Sequence, residues 1–241
     1  MIIYPAIDIL GGRCVRLTQG RYDDSTVYCD EPSEMAASFE NSGAEWIHMV
    51  DLDGARSGKP INTEAIKKAV AAVSVPIELG GGVRTLDDVE TLLEIGVSRV
   101  ILGTSAVRSM EFVRTAADKY GDKIAVGIDA KDGFVAISGW EEVSSFWAVE
   151  FARSMEDCGV KTVIYTDIAT DGMLTGPNVS AMEEMVKAVS GMKVIASGGV
   201  GRLEDVQSLI PTGVSGVIIG RALYTGNVKL EECLNLVKTE R

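Results

Sequence analysis

Two aspartates close matching apolar runs, Asp8 at the end of PAID and Asp129 at the end of VGID. A strand-end aspartate by itself serves as readily as a helix cap or turn former. Two at equivalent places in a repeated unit face one ligand from opposite sides. Carboxylates in separate environments can then have their pKa values pushed apart, one acting as base and the other as acid. Metal binding is the other use of such a pair, but no strand-end His or Glu cluster accompanies them, so no metal is expected. The second set of residues is glycine-rich: Gly81 and Gly82 in ELGGGVR, Ser197, Gly198 and Gly199 in ASGGV, Gly103 with Thr104, and Gly220 with Arg221. Glycine lets backbone approach an anion and turn N–H groups toward it, so these turns read as two phosphate sites. One such turn is weak evidence, because glycine often only makes a bend; the duplication in order is what gives the pattern weight.

Other candidates carry two readings each. His48, the sole histidine, sits in IHMVDLDGA, where alternation puts it and Val50 on one strand face and Asp51 on the other; it is either a core imidazole or a substrate contact. Thr166 in IYTDIATDG orients an acid or a substrate hydroxyl, or caps the next turn. Gly172 follows in the same segment and joins the phosphate-binding candidates. Trp140, in a long loop behind an Asp132-Gly133 hairpin turn, packs on the scaffold or stacks on a planar substrate ring. Arg84, Arg16 and Arg21 are possible phosphate clamps, with an ordinary surface arginine as the alternative for each.

The elements that must position these residues repeat. Residues 81–104, GGVRTLDDVETLLEIGVSRVILGT, return as residues 198–221, GGVGRLEDVQSLIPTGVSGVIIGR, with roughly half the positions identical. Such self-similarity marks a duplicated structural unit. Short β-branched runs at Ile2–Ile7, Trp46–Val50, Ile77–Leu79, Arg99–Leu102, Ile124–Ile128, Thr162–Thr166, Val194–Ala196 and Gly216–Ile219 alternate with helical patterns such as NTEAIKKAVAAV and TLDDVETLLEIG. The runs are nearly continuous in apolar residues, as parallel strands covered on both faces are. Eight βα units without a linker predict an α/β fold, a (β/α)8 TIM barrel built from two half-barrels, spanning 1–241 as one domain. An open doubly wound sheet fits the four-plus-four repeat less well. Two loops, 8–31 and 129–143, are long and correspond across the repeat, which suggests lids or binding loops.

Composition narrows the partners. A net charge of −12 with no basic stripe argues against nucleic acid and anionic membranes. No apolar run reaches the ~20 residues of a membrane span. MIIYPAIDIL reads as neither signal nor transit peptide, and the four scattered cysteines lack CxxC spacing, so a reducing, cytoplasmic setting is expected. The overall field repels phosphorylated ligands, so any phosphate site must be built locally from backbone N–H groups and helix N-termini. The ligand expected is small and carries two phosphates; no macromolecular partner is expected and the chain is read as a monomer.

Taken together, PAIDILGGRCVRLTQG, HMVDLDGARSG, ELGGGVR, LGTSAV, GIDAKDG, SGW, YTDIATDGMLTGPN, ASGGV and IIGRALY resemble, in order and through essentially the whole chain, the histidine-biosynthesis isomerases that act on phosphoribosyl-formimino-aminoimidazole carboxamide ribotide (ProFAR). The resemblance implies a half-barrel-duplicated enzyme performing an Amadori rearrangement, aminoaldose to aminoketose, without a cofactor. It implies Asp8 as proton acceptor and Asp129 as proton donor, with Thr166 as the supporting threonine and Trp140 as the loop tryptophan.

Neighbouring families share parts of this pattern. The cyclase subunit of imidazole glycerol phosphate synthase has the same duplicated barrel but resembles PCLD where this chain has PAID, and lacks VDLDGA and DGxxxGPN. A bifunctional isomerase that also accepts phosphoribosylanthranilate shows SGGIR and RGW in place of GGGVR and SGW, so Ser138 stands where its extra arginine would be. A non-catalytic barrel that merely binds a bisphosphate would have no need of the second carboxylate.

Overall fold

The computed structural model describes residues 1–18 and 20–239. Its strands are β1 (Ile2–Leu10), β2 (Arg13–Thr18), β3 (Arg21–Cys29), β4 (Ile47–Asp51), β5 (Ile77–Gly80), β6 (Arg99–Leu102), β7 (Ile124–Lys131), β8 (Phe134–Ile137), β9 (Glu142–Trp147), β10 (Thr162–Asp167), β11 (Lys193–Ser197) and β12 (Gly216–Ile219). Eight of them pair in parallel, in the order β1-β4-β5-β6-β7-β10-β11-β12, and the ring closes where β12 meets β1. This is the closed (β/α)8 barrel expected from the repeat. Every residue of β5, β6 and β12 is buried, because the barrel interior covers one face and helices the other.

The helices form where the apolar spacing demands them. Leu86–Glu94 turns Val89 and Leu92 inward and begins with a capping box in which Thr85 and Asp88 satisfy each other's backbone N–H. Its repeat counterpart, Leu203–Leu209, buries Val206 and Leu209, and Asp205 accepts from the Gly201 and Arg202 N–H groups. The main core lies between strands and helices; a smaller inner cluster of Tyr4, Ala6, Ile101, Ala125, Ile164, Ile195 and Ile218 fills the barrel. Among the described residues, no helix is long and apolar enough to cross a membrane.

The two long loops are paired strands, and the hairpin turn read at Asp132-Gly133 is present in the second. Both are antiparallel hairpins that extend barrel strands: β2 and β3 continue from β1, with Asp8 opposite Val15, and β8 and β9 from β7, with Asp129 opposite Ala136. Pairing supplies partners for backbone groups that would otherwise project from the barrel mouth. The Asp132-Gly133 turn has φ of 51° and 84°, the two left-handed residues a tight two-residue hairpin requires.

Candidate active site

Strand ends at the C-terminal mouth deliver most of the candidate residues to one cavity. Asp8, His48, Gly81, Gly82, Arg84, Gly103, Thr104, Asp129, Trp140, Thr166, Gly172, Ser197, Gly198, Gly199, Gly220 and Arg221 all line it. Arg21 does not. It stands at the rim on β3, exposed and paired with Asp23 at 3.3 Å, because the strand alternation turns its neighbour Tyr22 inward instead.

Both carboxyls of the repeat pair are half-buried, and Asp129 is the one held by hydrogen-bond donors. It accepts a hydrogen bond from Trp140 Nε1–H at 2.8 Å and another from the hydroxyl of Thr166, its register partner on β10. Burial pushes the Asp129 carboxyl above its usual range, while these two donors pull the other way. Trp140 reaches it from a backbone with φ of 74°, two residues after Ser138 at 57°, so the β8–β9 turn holds two non-glycine residues in the left-handed region. Asp8 has a different neighbour: Arg16 Nη1, from β2, lies 2.9 Å from Asp8 Oδ2. The contact is ionic; the N–H is not aimed at the carboxylate. Arg16 Nη1 and Ser105 Oγ are the buried side-chain polar atoms without a hydrogen-bond partner among the described residues, and both belong to residues in the cavity wall.

The paired glycine turns match closely in conformation. Gly81 and Gly82 have φ of 110° and 81°, Gly198 and Gly199 of 95° and 91°. A side chain at Gly82 would meet Gly54 carbonyl oxygen at 2.7 Å, and one at Gly199 would meet Gly176 carbonyl oxygen at 2.3 Å. Glycine is therefore required here by the neighbouring loop's backbone as well as by φ, so the bend-forming reading alone accounts for these glycines. Gly103 and Gly220 each start a short helix in nearly identical geometry, φ −100° and ψ −107° against φ −106° and ψ −102°. The Arg16 guanidinium lies against Gly220 and that of Arg84 against Gly58. Arg221 Nη1 donates to the Gly172 carbonyl at 2.8 Å, and Thr104 Oγ1 accepts from Ser138 N–H at 3.1 Å.

A second repeated pair of aspartates holds the loops. Asp51 accepts from the N–H groups of Gly54, Ile61 and Asn62 and from Asn62 Nδ2, and Asp167 accepts from Ala169 N–H and Asn178 Nδ2. Their carboxylates are committed to the loop backbone, and neither residue lines the cavity.

Sequence reasoning missed a third cavity carboxylate, Asp171. Burial pushes it up to about 6; Arg16 pulls it down, and the charges of Asp8 and Asp129 push it further up. Its repeat counterpart is Ala55, also in the cavity wall, so the duplication that exposes Asp8 and Asp129 conceals Asp171. A signal existed in the second acid of TDIATDG. Among the described residues, no three His, Cys, Asp or Glu side chains gather as a metal-binding group.

The histidine biosynthesis protein family model matches residues 2–229. The chain belongs to that family. Within it, the chain is similar to proteins named 1-(5-phosphoribosyl)-5-((5-phosphoribosylamino)methylideneamino) imidazole-4-carboxamide isomerase. The Ruminiclostridium cellulolyticum protein of that name is 59% identical over 97% of this chain and 99% of its own length. Those of Thermoanaerobacter pseudethanolicus and Acetivibrio thermocellus are each 55% identical over 99% of this chain and 100% of their own lengths. Membership of the histidine biosynthesis protein family thus extends over both half-barrels and every cavity residue named above.

Proposed function

We propose that the chain is a histidine-biosynthesis isomerase that converts the aminoaldose ribotide ProFAR to its aminoketose by an Amadori rearrangement. The observation that carries this reading is the pair Asp8 and Asp129, at equivalent strand ends, facing one cavity between two copies of the same glycine turns. The relatives' names describe a molecule with two phosphoribosyl groups, and a two-fold cavity suits a ligand phosphorylated at both ends.

In this mechanism Asp129 gives its proton to the ribose ring oxygen. The ring C–O bond breaks, the oxygen leaves as the hydroxyl, and the anomeric carbon becomes the carbon of a protonated Schiff base. Asp8 takes the C2 proton, and the electron pair moves to form an enolamine, which tautomerises to the ketone. Burial that raises the Asp129 carboxyl favours the protonated acid the first step needs. Arg16 supplies a counter-charge beside Asp8. Trp140 and Thr166 orient Asp129, and the reaction needs no cofactor in this scheme. The glycine turns, with Thr104 and Arg221, hold the phosphates.

A second assignment of the acid rests on one observation: Asp171 is held at about 6, close to working pH. The single variants Asp8→Asn, Asp129→Asn and Asp171→Asn separate the roles. Asp8→Asn should lower turnover about 10³-fold or more while ligand binding persists. Of the other two, the acid is the residue whose removal abolishes the alkaline limb of the pH–rate profile. Unchanged turnover in Asp129→Asn would remove it from the mechanism. With Ser138 in place of an arginine, activity on phosphoribosylanthranilate should be less than a tenth of that on ProFAR; comparable rates would make the enzyme dual-substrate. A cytoplasmic, monomeric, single-domain enzyme completes the reading, and size-exclusion with light scattering checks the oligomeric state.

A further inference from the structure

The barrel interior holds a charge network that the proposed chemistry leaves unused. On three consecutive strands, His48, Glu78 and Arg99 are register neighbours: His48 pairs with Glu78, and Glu78 with Arg99. Glu78 is fully buried. Its Oε1 lies 2.7 Å from His48 Nδ1, and its Oε2 accepts from Arg99 Nε at 2.9 Å and also from Arg99 Nη2. Arg99 Nη2 in turn donates to the Tyr4 hydroxyl at 3.2 Å, and the guanidinium stacks 4.5 Å from the Trp46 ring. His48 is the one member that reaches the cavity.

The duplication shows that the other half of the barrel is filled without such a network. By the same alignment that pairs Asp8 with Asp129, Tyr4 corresponds to Ala125, His48 to Ile164, Glu78 to Ile195 and Arg99 to Gly216. Ala125, Ile164 and Ile195 belong to the apolar cluster filling the barrel. One half of the molecule thus solves the same packing problem with aliphatic side chains. Buried ion pairs are seldom more stabilising than well-packed apolar groups of similar volume, so a network kept on one side only calls for a functional reason. Burial alone would raise the Glu78 carboxyl, but the hydrogen bond and charge of His48, and then Arg99, hold it below its usual range. An ionised carboxylate only accepts hydrogen bonds, so the nitrogen facing it must carry a proton.

We infer that Glu78, clamped by an Arg99 that Tyr4 in turn holds, is a positioning residue for the isomerase reaction: it fixes the His48 proton on Nδ1 and leaves Nε2 as the ring position that meets the sugar. Nε2 is then the only nitrogen of the ring able to gain or lose a proton. This makes the two halves of the cavity chemically unequal although their strand-end aspartates are equivalent.

The inference rests on the proposed isomerase activity, and its test has an arm that does not. Because the chain has one histidine, a ¹⁵N-histidine-labelled sample gives one imidazole to assign without ambiguity. In its neutral ring form, recognised by the pair of ¹⁵N shifts, the unaltered protein should carry its proton on Nδ1, against the Nε2–H form that free histidine prefers. In Glu78→Gln, whose amide can donate as well as accept, the ring should relax toward Nε2–H. The same variant should lose tenfold or more in kcat on ProFAR, with a smaller change in KM. A proton on Nε2 in the unaltered protein, or wild-type kcat in a folded Glu78→Gln, would overturn the inference. Should Glu78→Gln not fold, Glu78→Asp, which keeps the charge but withdraws the oxygens, should show the same tautomer shift and the same loss of kcat, and an unchanged kcat there overturns the inference equally. If the unaltered chain turns over no ProFAR, the functional reading fails while the tautomer result stands or falls separately.

Discussion

At the residue scale, each cavity carboxyl has a different environment although the strand ends are equivalent. Asp8 has Arg16 beside it, Asp129 has the Trp140 and Thr166 donors, and Asp171 is buried, with Arg16 and the like charges of Asp8 and Asp129 acting on it in opposite directions. Trp140→Phe removes one hydrogen bond to a carboxyl and should cut turnover about 10- to 100-fold, the kinetic equivalent of ~1.5–3 kcal/mol. An unchanged kcat would reduce Trp140 to scaffold. Asp171 also predicts a pH-dependent stability. Its carboxyl titrates at about 6 in the native state. In the unfolded chain an aspartate titrates at about 4. The native state therefore favours the protonated form, and this contribution is complete below about 4 and lost as pH rises through 6. Asn mimics the protonated form, so Asp171→Asn should be more stable than the parent at pH 8 by about 1–3 kcal/mol, with the gain shrinking toward zero at pH 4. Urea unfolding at the two pH values checks this; a gain equal at both would deny the raised carboxyl. The two aspartates were legible because position and repeat both singled them out. Asp171 was not, since its meaning depends on the barrel bringing it among Asp8, Arg16 and Asp129.

At the element scale, helices, barrel strands and the Asp132-Gly133 turn followed from local pattern, whereas the strand pairing of both long connections did not. The helix pattern at residues 62–73 is realised as Thr63–Ala72, and that at 85–96 as Leu86–Glu94. The segments 8–31 and 129–143 became hairpins, because extension of a parent strand decides whether a polar alternating stretch pairs, and that parent is a tertiary feature. The hairpins matter to the site: one carries Arg16 and the other Trp140. The glycine turns make the sharpest prediction at this level. Gly199→Ala meets both a φ of 91° and backbone at 2.3 Å, whereas Gly11→Ala, at φ 56°, meets nothing within 4 Å. The first should cost about 2–5 kcal/mol and the second about 1 kcal/mol by thermal or denaturant unfolding. Equal losses would mean that the loop beside Gly199 yields, and that close approach there is no constraint.

At the scale of the whole molecule, duplication gives a cavity with two similar ends inside a chain of net charge −12. A ligand must use both ends to offset the repulsion. An analogue bearing both phosphates, at a hundred times its Kd, should stabilise the fold by about 2.7 kcal/mol, a rise of about 5–10 °C in Tm for a domain of this size. Ribose 5-phosphate at the same concentration should give less than half of that rise; an equal shift would argue that only one end binds. The barrel, the repeat and the strand-end aspartates were legible along the chain, because β-branched runs, turn glycines and copies of one unit are written in spacing; the family resemblance rested on the motifs themselves. It took the folded chain to show that Arg21 lies outside the cavity, that Arg16 and Asp171 stand beside the aspartates, and that Glu78 holds His48. Those relations join residues far apart in the chain through strand register and burial. Composition carries neither, and the repeat hides the very positions where its two copies differ.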